Sequence, residues 1–380
     1  MTSVGFHVDQ LFFAAPGGIG TYVRELVPAL ARQDPALEIV LFHSRFAGAA
    51  APPEPWMREH RTVEVPGTIR SLYPRWNLSG RPPLPQELQG LDLVHAASPA
   101  AVAPAAGGQR LVVTVHDLAF EVLPRFFPTA WRQVFRLGLR ATVRRADAIL
   151  TPSRNTAEDL VGRTRVDPGK VHVVPLAASL EAGSDDPTRI VDRLKIPRPY
   201  LLSVGTLEPR KNLRRLVRAY RRAAAAGLPH TLVLAGPLGW HYQSLLREIR
   251  LAGPGEVILT GRLEPTQLDA VYREASAFVY PSVYEGFGLP VLEAMARGVP
   301  TIASTAASLP EVTGDAALGV NPGSVREIAA AIERVLSDRA LADRLGMLGR
   351  ARSERFSWEE TARLTTQAYE RALGRKDGAS

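Results

Sequence analysis

Residues 277–298 read AFVYPSVYEGFGLPVLEAMARG, and the reading of this stretch decides the fold. Ala277–Tyr280 is a short, continuous apolar run, the pattern of a strand covered on both faces. Pro290–Arg297 follows with helical spacing. Pro290 suits a first helical turn, where its missing N–H leaves no helix bond unmade. Between strand and helix lie Glu285, Gly286, Phe287 and Gly288. The glycines let backbone come close to a ligand. The N–H groups of Phe287, Gly288 and Leu289 are predicted to face an anion, helped by roughly half a positive charge at the helix start. Glu285 precedes the helix and Glu293 lies about one turn into it, so the two can hold opposite ends of one extended ligand. A loop glutamate and a solvated helix glutamate are the plainer alternative.

The same strand–loop–helix unit recurs in both directions. Toward the N-terminus, strands are predicted at Val4–Asp9, Glu38–His43, Leu91–Ala96, Leu111–His116, Ala148–Thr151 and Val171–Pro175, with helices at Gly20–Arg32, Thr129–Arg145 and Arg154–Val161. In the second half, strands read at Tyr200–Gly205, Thr231–Gly236, Val257–Gly261, Ala277–Tyr280 and Thr301–Ser304. Helices intervene at Asn212–Ala226, Tyr242–Leu251, Pro265–Glu274 and Pro290–Arg297, and the tail Val325–Gly374 is helical. Such alternation predicts an α/β chain built on parallel sheets with helices on both faces. The strands are too many for one ordinary open sheet. Ala177–Pro199, with three prolines, reads as a linker plus a short helical turn. We therefore expect two doubly wound, Rossmann-like domains facing a cleft, residues 1–180 and 181–357, with residues 358–380 as a helix crossing back to the first. Ligands bind at the carboxyl ends of strands in such sheets.

Composition agrees with a globular chain: 380 residues, 46% apolar and 22% charged, with a net charge of +8. There is no cysteine, which excludes disulfides and thiolate metal sites. The opening MTSVGFHVDQ lacks a signal-peptide layout, and no apolar run nears the ~20 residues of a membrane span. A cytoplasmic protein is expected. The excess charge is shared evenly: residues 1–180 hold 19 basic and 15 acidic residues, residues 181–380 hold 27 and 23. No half is a nucleic-acid-binding domain by charge, and no nucleic-acid partner is expected.

Three further loops carry chemistry. Gly205–Asn212, GTLEPRKN, follows a strand and precedes a helix. Arg210 and Lys211 there stand at the wrong end of a helix dipole unless an anion lies between. Arg supplies a bidentate fork and Lys a point charge, as phosphates demand. Lys211 is one of only four lysines, with Lys170, Lys195 and Lys376. Pro16–Thr21, PGGIGT, is a glycine-rich loop after the first strand, without the GxGxxG spacing of a dinucleotide site. Thr114–Asp117, TVHD, ends a strand and presents His116 to the cleft. A direct His116–Asp117 dyad is disfavoured because neighbours on a strand point to opposite faces. Solvated cations and a satisfied structural histidine are the alternatives. HExxH, DxD, GxSxG and GxxxxGK[ST] are all absent, so no metal site, serine hydrolase or P-loop is indicated.

Taken together, EGFGLPVLE, GTLEPRKN, PGGIGTYVREL, TVHDL, TPSRNTAEDL and SLPEVTGDAAL resemble the retaining, GT-B-fold glycosyltransferases of family 4, in their EPRKN-type, mannosyltransferase-like branch. The motifs run in the expected order from residue 16 to residue 316. The resemblance implies that Glu285 holds hydroxyls of a donor sugar and Glu293 a ribose. It implies that Phe287, Gly288 and Leu289 contact the sugar and β-phosphate, and that Arg210 and Lys211 neutralise the diphosphate. His116 would touch the sugar, and Gly17 and Gly18 would approach donor or acceptor. The base would be read by backbone near Gly236, Arg262 and Leu263. Where many members carry Arg after the strand-ending glycine, this chain has Thr206, so Arg210 is expected to supply the missing charge.

The resemblance implies a nucleotide-sugar donor, with GDP-mannose favoured and a UDP-hexose second, and a glycan or lipid-linked acceptor. No cofactor and no metal are expected. No carboxylate stands out as a nucleophile, so retention is expected through front-face substitution. An epimerase or phosphorylase on the same fold, and a basic nucleic-acid-binding protein, are the competing readings. The scarcity of lysine and the absence of a recognition-helix motif weigh against them. Finally, Arg132, Arg136, Arg140 and Arg144 recur every four residues, with Trp131, Phe135, Leu139 and Val143 beside them. Such a stripe suits an anionic membrane surface, so peripheral contact with the inner face of the membrane is expected. A solvated face beside a core face is its alternative.

Overall fold

The computed structural model describes residues 2–46, 53–179, 186–251 and 253–375. The expected domain boundary at 180/181 and Lys376 lie outside them. The chain forms two compact units, Met1–Leu176 with Ser357–Ser380, and Ala177–Phe356.

The first unit carries seven strands: β1 (Ser3–His7), β2 (Glu38–Ser44), β3 (Arg61–Val65), β4 (Leu93–Ala96), β5 (Arg110–Thr114), β6 (Ala148–Thr151) and β7 (Val171–Val173). They run parallel in the order β3-β2-β1-β4-β5-β6-β7. The second carries β8 (Tyr200–Val204), β9 (Thr231–Ala235), β10 (Val257–Gly261), β11 (Ala277–Tyr280), β12 (Thr301–Ser304) and β13 (Leu318–Val320). Their order is β10-β9-β8-β11-β12-β13, again all parallel. Each sheet is doubly wound. The order reverses between β1 and β4 in one and between β8 and β11 in the other, the points where such sheets open a crevice for ligand.

Strand alternation builds the layers of the second unit. Leu201, Leu232, Leu234, Ala277, Val279 and Ile302 face one core. Their neighbours Tyr200, Leu202, Val233, Phe278, Tyr280 and Ala303 face the other. The helix Leu213–Ala225 covers the first layer because Leu213, Leu216, Val217 and Tyr220 share one face at helical spacing, with arginines on the other. Each such buried side chain contributes roughly 1.5–3 kcal/mol. The helices Pro265–Arg273 and Leu289–Ala296 cover the second layer through Val271, Tyr272, Val291 and Met295.

The strand reading missed two edge strands. β3 exposes most of its residues, and β13 is three residues long. It also missed the helix Ile69–Ser79, whose internal Pro74 masks the pattern. The helix Gly17–Gln33 begins three residues earlier than its apolar period, so Gly17 and Gly18 lie in its first turn and not in a loop before it. In the first unit, the C-terminal helix Trp358–Ala372 is capped by Ser357, whose side chain accepts from the Glu360 N–H. It docks through Thr361 Oγ1, which donates to the Pro175 carbonyl at 2.7 Å. Among the described residues, no helix is long and apolar enough to cross a membrane.

Candidate active site

The loops after β8 and β11 flank the reversal point of the second sheet, and they are stitched together. The Val283 N–H donates to the Arg210 carbonyl at 3.0 Å. Asn212, with φ of 59°, donates its amide to the carbonyls of Pro281 and Pro322. Arg210 and Lys211 sit in a short 3-10 turn, Pro209–Lys211, ahead of the helix that starts at Leu213.

This stitching brings three of the expected residues into one cluster. Glu285 Oε1 accepts from Lys211 Nζ at 2.7 Å, from Tyr280 OH at 3.0 Å and from Ser282 Oγ at 2.6 Å. Its Oε2 accepts from Arg210 Nη1. Lys211 Nζ also donates to Tyr280 OH at 2.6 Å. Arg210 reaches back through Nη2 to Glu208 Oε1 at 2.7 Å and through Nη1 to the Tyr284 carbonyl at 3.1 Å. Glu285, Lys211 and Glu208 are all buried.

The electrostatics follow from this geometry. Burial pushes the Glu285 carboxyl up, but Arg210 and Lys211 more than offset it and hold it down at about 2. Lys211 is lowered from the usual lysine value by burial and by Arg210, with Glu285 working against both. Burial and Glu285 raise the Tyr280 hydroxyl well above its usual value, so it stays a neutral donor. Arg210 and Lys211 do not stand as an isolated cationic pair. Two carboxylates, Glu285 and Glu208, match their two charges. The physical reason is cost: an unpaired ammonium or guanidinium in a buried loop loses several kcal/mol of solvation.

The loop that follows is held from behind. Ser308, fully buried, places its hydroxyl 2.9 Å from the carbonyls of both Glu285 and Phe287. Gly288 caps the helix with φ of 116°, and a Cβ there would stand 2.6 Å from Leu309 Cδ2. No other residue fits that position without strain. With its carbonyls turned toward Ser308, the loop leaves the N–H groups of Phe287, Gly288 and Leu289 without an acceptor among the described residues. That is a cradle for an anion. Phe287 is buried edge-on against Phe356, and the Leu289 side chain is buried too, so both can offer backbone but little else.

The remaining expected residues separate. Glu293 is half-buried, and its Oε2 accepts from Tyr272 OH at 2.9 Å. Gly236, just past β9, lies so close to Gly205, just past β8, that a Cβ would stand 2.2 Å from the Gly205 carbonyl oxygen. Its N–H donates to the Gly261 carbonyl at 2.9 Å. Thr206 is half-buried directly after Gly205, and Arg262 is exposed after β10. The Leu263 side chain packs against the core beneath the sheet, so what it can offer a ligand is backbone, as expected of it.

In the first unit, Gly17 and Gly18 are exposed. His116 lies two residues past β5, half-buried, with its ring edge-on to Tyr22 at 4.8 Å. Its Nε2 donates to the Ala97 carbonyl at 2.9 Å, which leaves Nδ1 as the acceptor nitrogen. Burial lowers its pKa, so the ring is neutral at pH 7. Asp117 instead accepts from the Ala119 N–H, and the two side chains do not form a dyad through that contact. Behind Tyr22 runs a buried chain that sequence reading missed. Tyr22 OH meets Thr114 Oγ1 at 2.8 Å, Thr114 meets His95 Nε2 at 2.8 Å, and His95 Nδ1 meets Tyr369 OH at 2.6 Å. Burial drives the His95 pKa down to about 3, so this histidine is a neutral link.

All four arginines of the stripe lie on the helix Thr129–Arg145, but they are not four free cations. Arg136 makes a two-pronged pair with Glu121, at 2.6 and 3.0 Å, and Arg132 points to the Pro124 carbonyl at 3.5 Å. Leu139 is buried and Phe135 packs against the core, stacked on Phe120, because the helix must bury one face. Arg140, Arg144 and Trp131 remain exposed.

Comparison with known proteins then bears on the whole chain. Residues 188–352 match the family described as Glycosyl transferases group 1, and residues 16–182 match Glycosyltransferase Family 4. The O-antigen chain mannosyltransferase B of Escherichia coli is 33% identical over 69% of this chain and 70% of its own length. A serotype-specific mannosyltransferase of Escherichia coli is 33% identical over 63% of this chain, which spans only 30% of that longer protein. Among solved structures, sucrose-phosphate synthase from Thermosynechococcus elongatus superposes with a TM-score of 0.75 at 23% identity, over 98% of this chain and 100% of its own. That likeness establishes the GT-B fold.

Proposed function

Because the chain belongs to the group 1 and family 4 glycosyltransferases and is a hexosyltransferase, we propose that it moves mannose from GDP-mannose to a glycan or lipid-linked acceptor, with retention and without a metal. One observation carries the donor site: the Arg210–Glu285–Lys211 cluster leads directly into the amides of residues 287–289, which have no acceptor among the described residues. The names of the two Escherichia coli relatives support mannose as the sugar.

The diphosphate accepts from the amides of Phe287, Gly288 and Leu289, while Lys211 and Arg210 turn part of their hydrogen bonding from Glu285 to its oxygens. Glu285, relieved of one cation, accepts from sugar hydroxyls. Glu293 takes the ribose, and backbone at Gly236, Arg262 and Leu263 meets the base, with Thr206 beside the phosphates. In the first unit, His116 offers its neutral Nδ1 to a sugar hydroxyl, and Gly17 and Gly18 admit the sugar or acceptor. In the transfer, the anomeric C–O bond to the β-phosphate breaks and its electron pair leaves with the diphosphate. The acceptor oxygen bonds to the same face and its proton passes to the departing phosphate oxygen. Lys211, Arg210 and the amides stabilise the charge that develops there.

The test is transfer from GDP-mannose, UDP-glucose and UDP-galactose to a lipid extract in the presence of EDTA, with the anomeric configuration of the product read by NMR. An α-mannoside made from GDP-mannose supports the reading; a β-product, or turnover of UDP-sugars alone, contradicts it. Contact with an anionic membrane through Trp131, Arg140 and Arg144, alongside Arg132 and Arg136, belongs to the same proposal. It places the enzyme where a lipid-linked acceptor is found.

A further inference from the structure

The helix Thr129–Arg145 does more than present a charged face. Arg136, Leu139, Arg140 and Val143 stand at helical spacing along one wall of a groove of about 800 Å³. Arg163 and Arg165, at and just after the end of the helix Arg154–Arg163, line it from across. The volume lies within the range of small-molecule sites. Four guanidiniums thus share one cavity. Glu121 pairs with Arg136 and Asp159 pairs with Arg163 at 2.9 Å. Among the described residues, Arg140 and Arg165 make no ion pair. Two positive charges are left over in a groove whose lining includes the buried Leu139 and the half-buried Val143.

We propose that this groove binds a phosphate group carried on an apolar chain. Guanidinium forks match phosphate oxygens in pairs, and two uncompensated cations match the charge of a phosphomonoester or diphosphate. The apolar wall gives the attached chain a place to lie. Repulsion among the arginines is relieved when such an anion enters, which gives the site a preference over neutral ligands. The groove shares no residue with the donor cluster. The inference deepens the membrane-contact reading of the same helix and rests on it for the source of the ligand, a lipid phosphate.

The experiment titrates the full chain calorimetrically with dihexanoyl phosphatidic acid below its micelle concentration, and separately with inorganic phosphate. The expected result is saturable 1:1 binding of the lipid, about tenfold tighter than phosphate. Arg140→Gln/Arg165→Gln weakens it about tenfold or more, while Arg144→Gln, on the same helix but outside the groove, leaves it unchanged. No saturable binding overturns the proposal. So does equal affinity for lipid and inorganic phosphate, which denies the apolar wall a role, and so does an equal loss in Arg144→Gln, which reduces the effect to diffuse charge. Flotation with phosphatidylglycerol vesicles separates the two readings. Its failure alone removes the membrane contact, whereas lipid binding in solution stands or falls by the titration.

Discussion

Lys211→Met removes the ammonium of the donor cluster while keeping most of the side-chain length. Lys211 is 9% exposed and gives two short hydrogen bonds, 2.7 Å to Glu285 and 2.6 Å to Tyr280. After the change, Glu285 still accepts from Arg210, Tyr280 and Ser282. Arg210 alone then faces the two buried carboxylates Glu285 and Glu208, so one negative charge goes unmatched and stability should fall by about 3–5 kcal/mol. Turnover falls for a separate reason. The ammonium is one of the donors aimed at the departing β-phosphate, and removing one such donor costs about 10²–10³ in rate, or roughly 2.7–4 kcal/mol. The assay is coupled detection of nucleoside diphosphate release at saturating donor, with thermal unfolding of the same sample. The expected pair of results is a large fall in kcat and a Tm lowered by several degrees. A kcat within about tenfold of the parent refutes the role of Lys211 in leaving-group stabilisation.

Protonation gives a second set of expectations. Because Lys211 is lowered, the alkaline limb of kcat should begin below the ordinary lysine range, and Lys211→Arg should move it upward. In the window between its folded pKa and the usual 10.5, the unfolded chain holds more protons, so this group's contribution to stability rises with pH. Glu285 runs the other way: its contribution is complete above about 4.5 and is lost as pH falls toward about 2, so Glu285→Gln should flatten part of the acid-unfolding curve between those values. A curve identical to the parent's would deny the ion pairs their strength. Ser308→Ala leaves the carbonyls of Glu285 and Phe287 without their shared donor, and nucleotide affinity measured by calorimetry should fall about tenfold, about 1.4 kcal/mol. Gly288→Ala forces a Cβ into Leu309 and should destabilise the loop by about 1–3 kcal/mol, read as a lower Tm and weaker nucleotide binding. Arg140→Glu/Arg144→Glu should abolish flotation with anionic vesicles at low salt; undiminished flotation would move the contact elsewhere.

Much of this architecture was legible because it is local. Apolar runs such as Ala277–Tyr280 and helical periods such as Leu213–Ala225 are fixed by nearest neighbours along the chain. Glycine placement likewise marked the ends of β8 and β9, where Gly205 and Gly236 touch. What escaped was mostly non-local. Nothing in EPRKN says that Lys211 reaches 74 positions along the chain to Glu285, although Glu208, two residues before Arg210, was a cue that the arginine had a partner. Tyr280 and Ser282 precede Glu285 within five residues, yet their convergence on one carboxylate oxygen depends on the turn after β11. Ser308 comes from the next strand–helix connection. The arginine stripe read correctly as a helix face but not as a set of partners, because Glu121, Arg163 and Arg165 come from other elements. Edge strands were lost for the opposite reason: β3 is too exposed, and β13 too short, to carry an apolar run.

The most direct measurement of the central claim is thermal unfolding with GDP, UDP, ADP and dTDP in turn, in EDTA, for the parent chain and for Lys211→Met. A ligand at 100 times its Kd adds about 2.7 kcal/mol of stability. The account predicts a clear upward shift with GDP in the parent, a smaller one with UDP, and a reduced GDP shift in Lys211→Met. No shift with any of the four nucleotides, or a GDP shift that Lys211→Met leaves untouched, would contradict it.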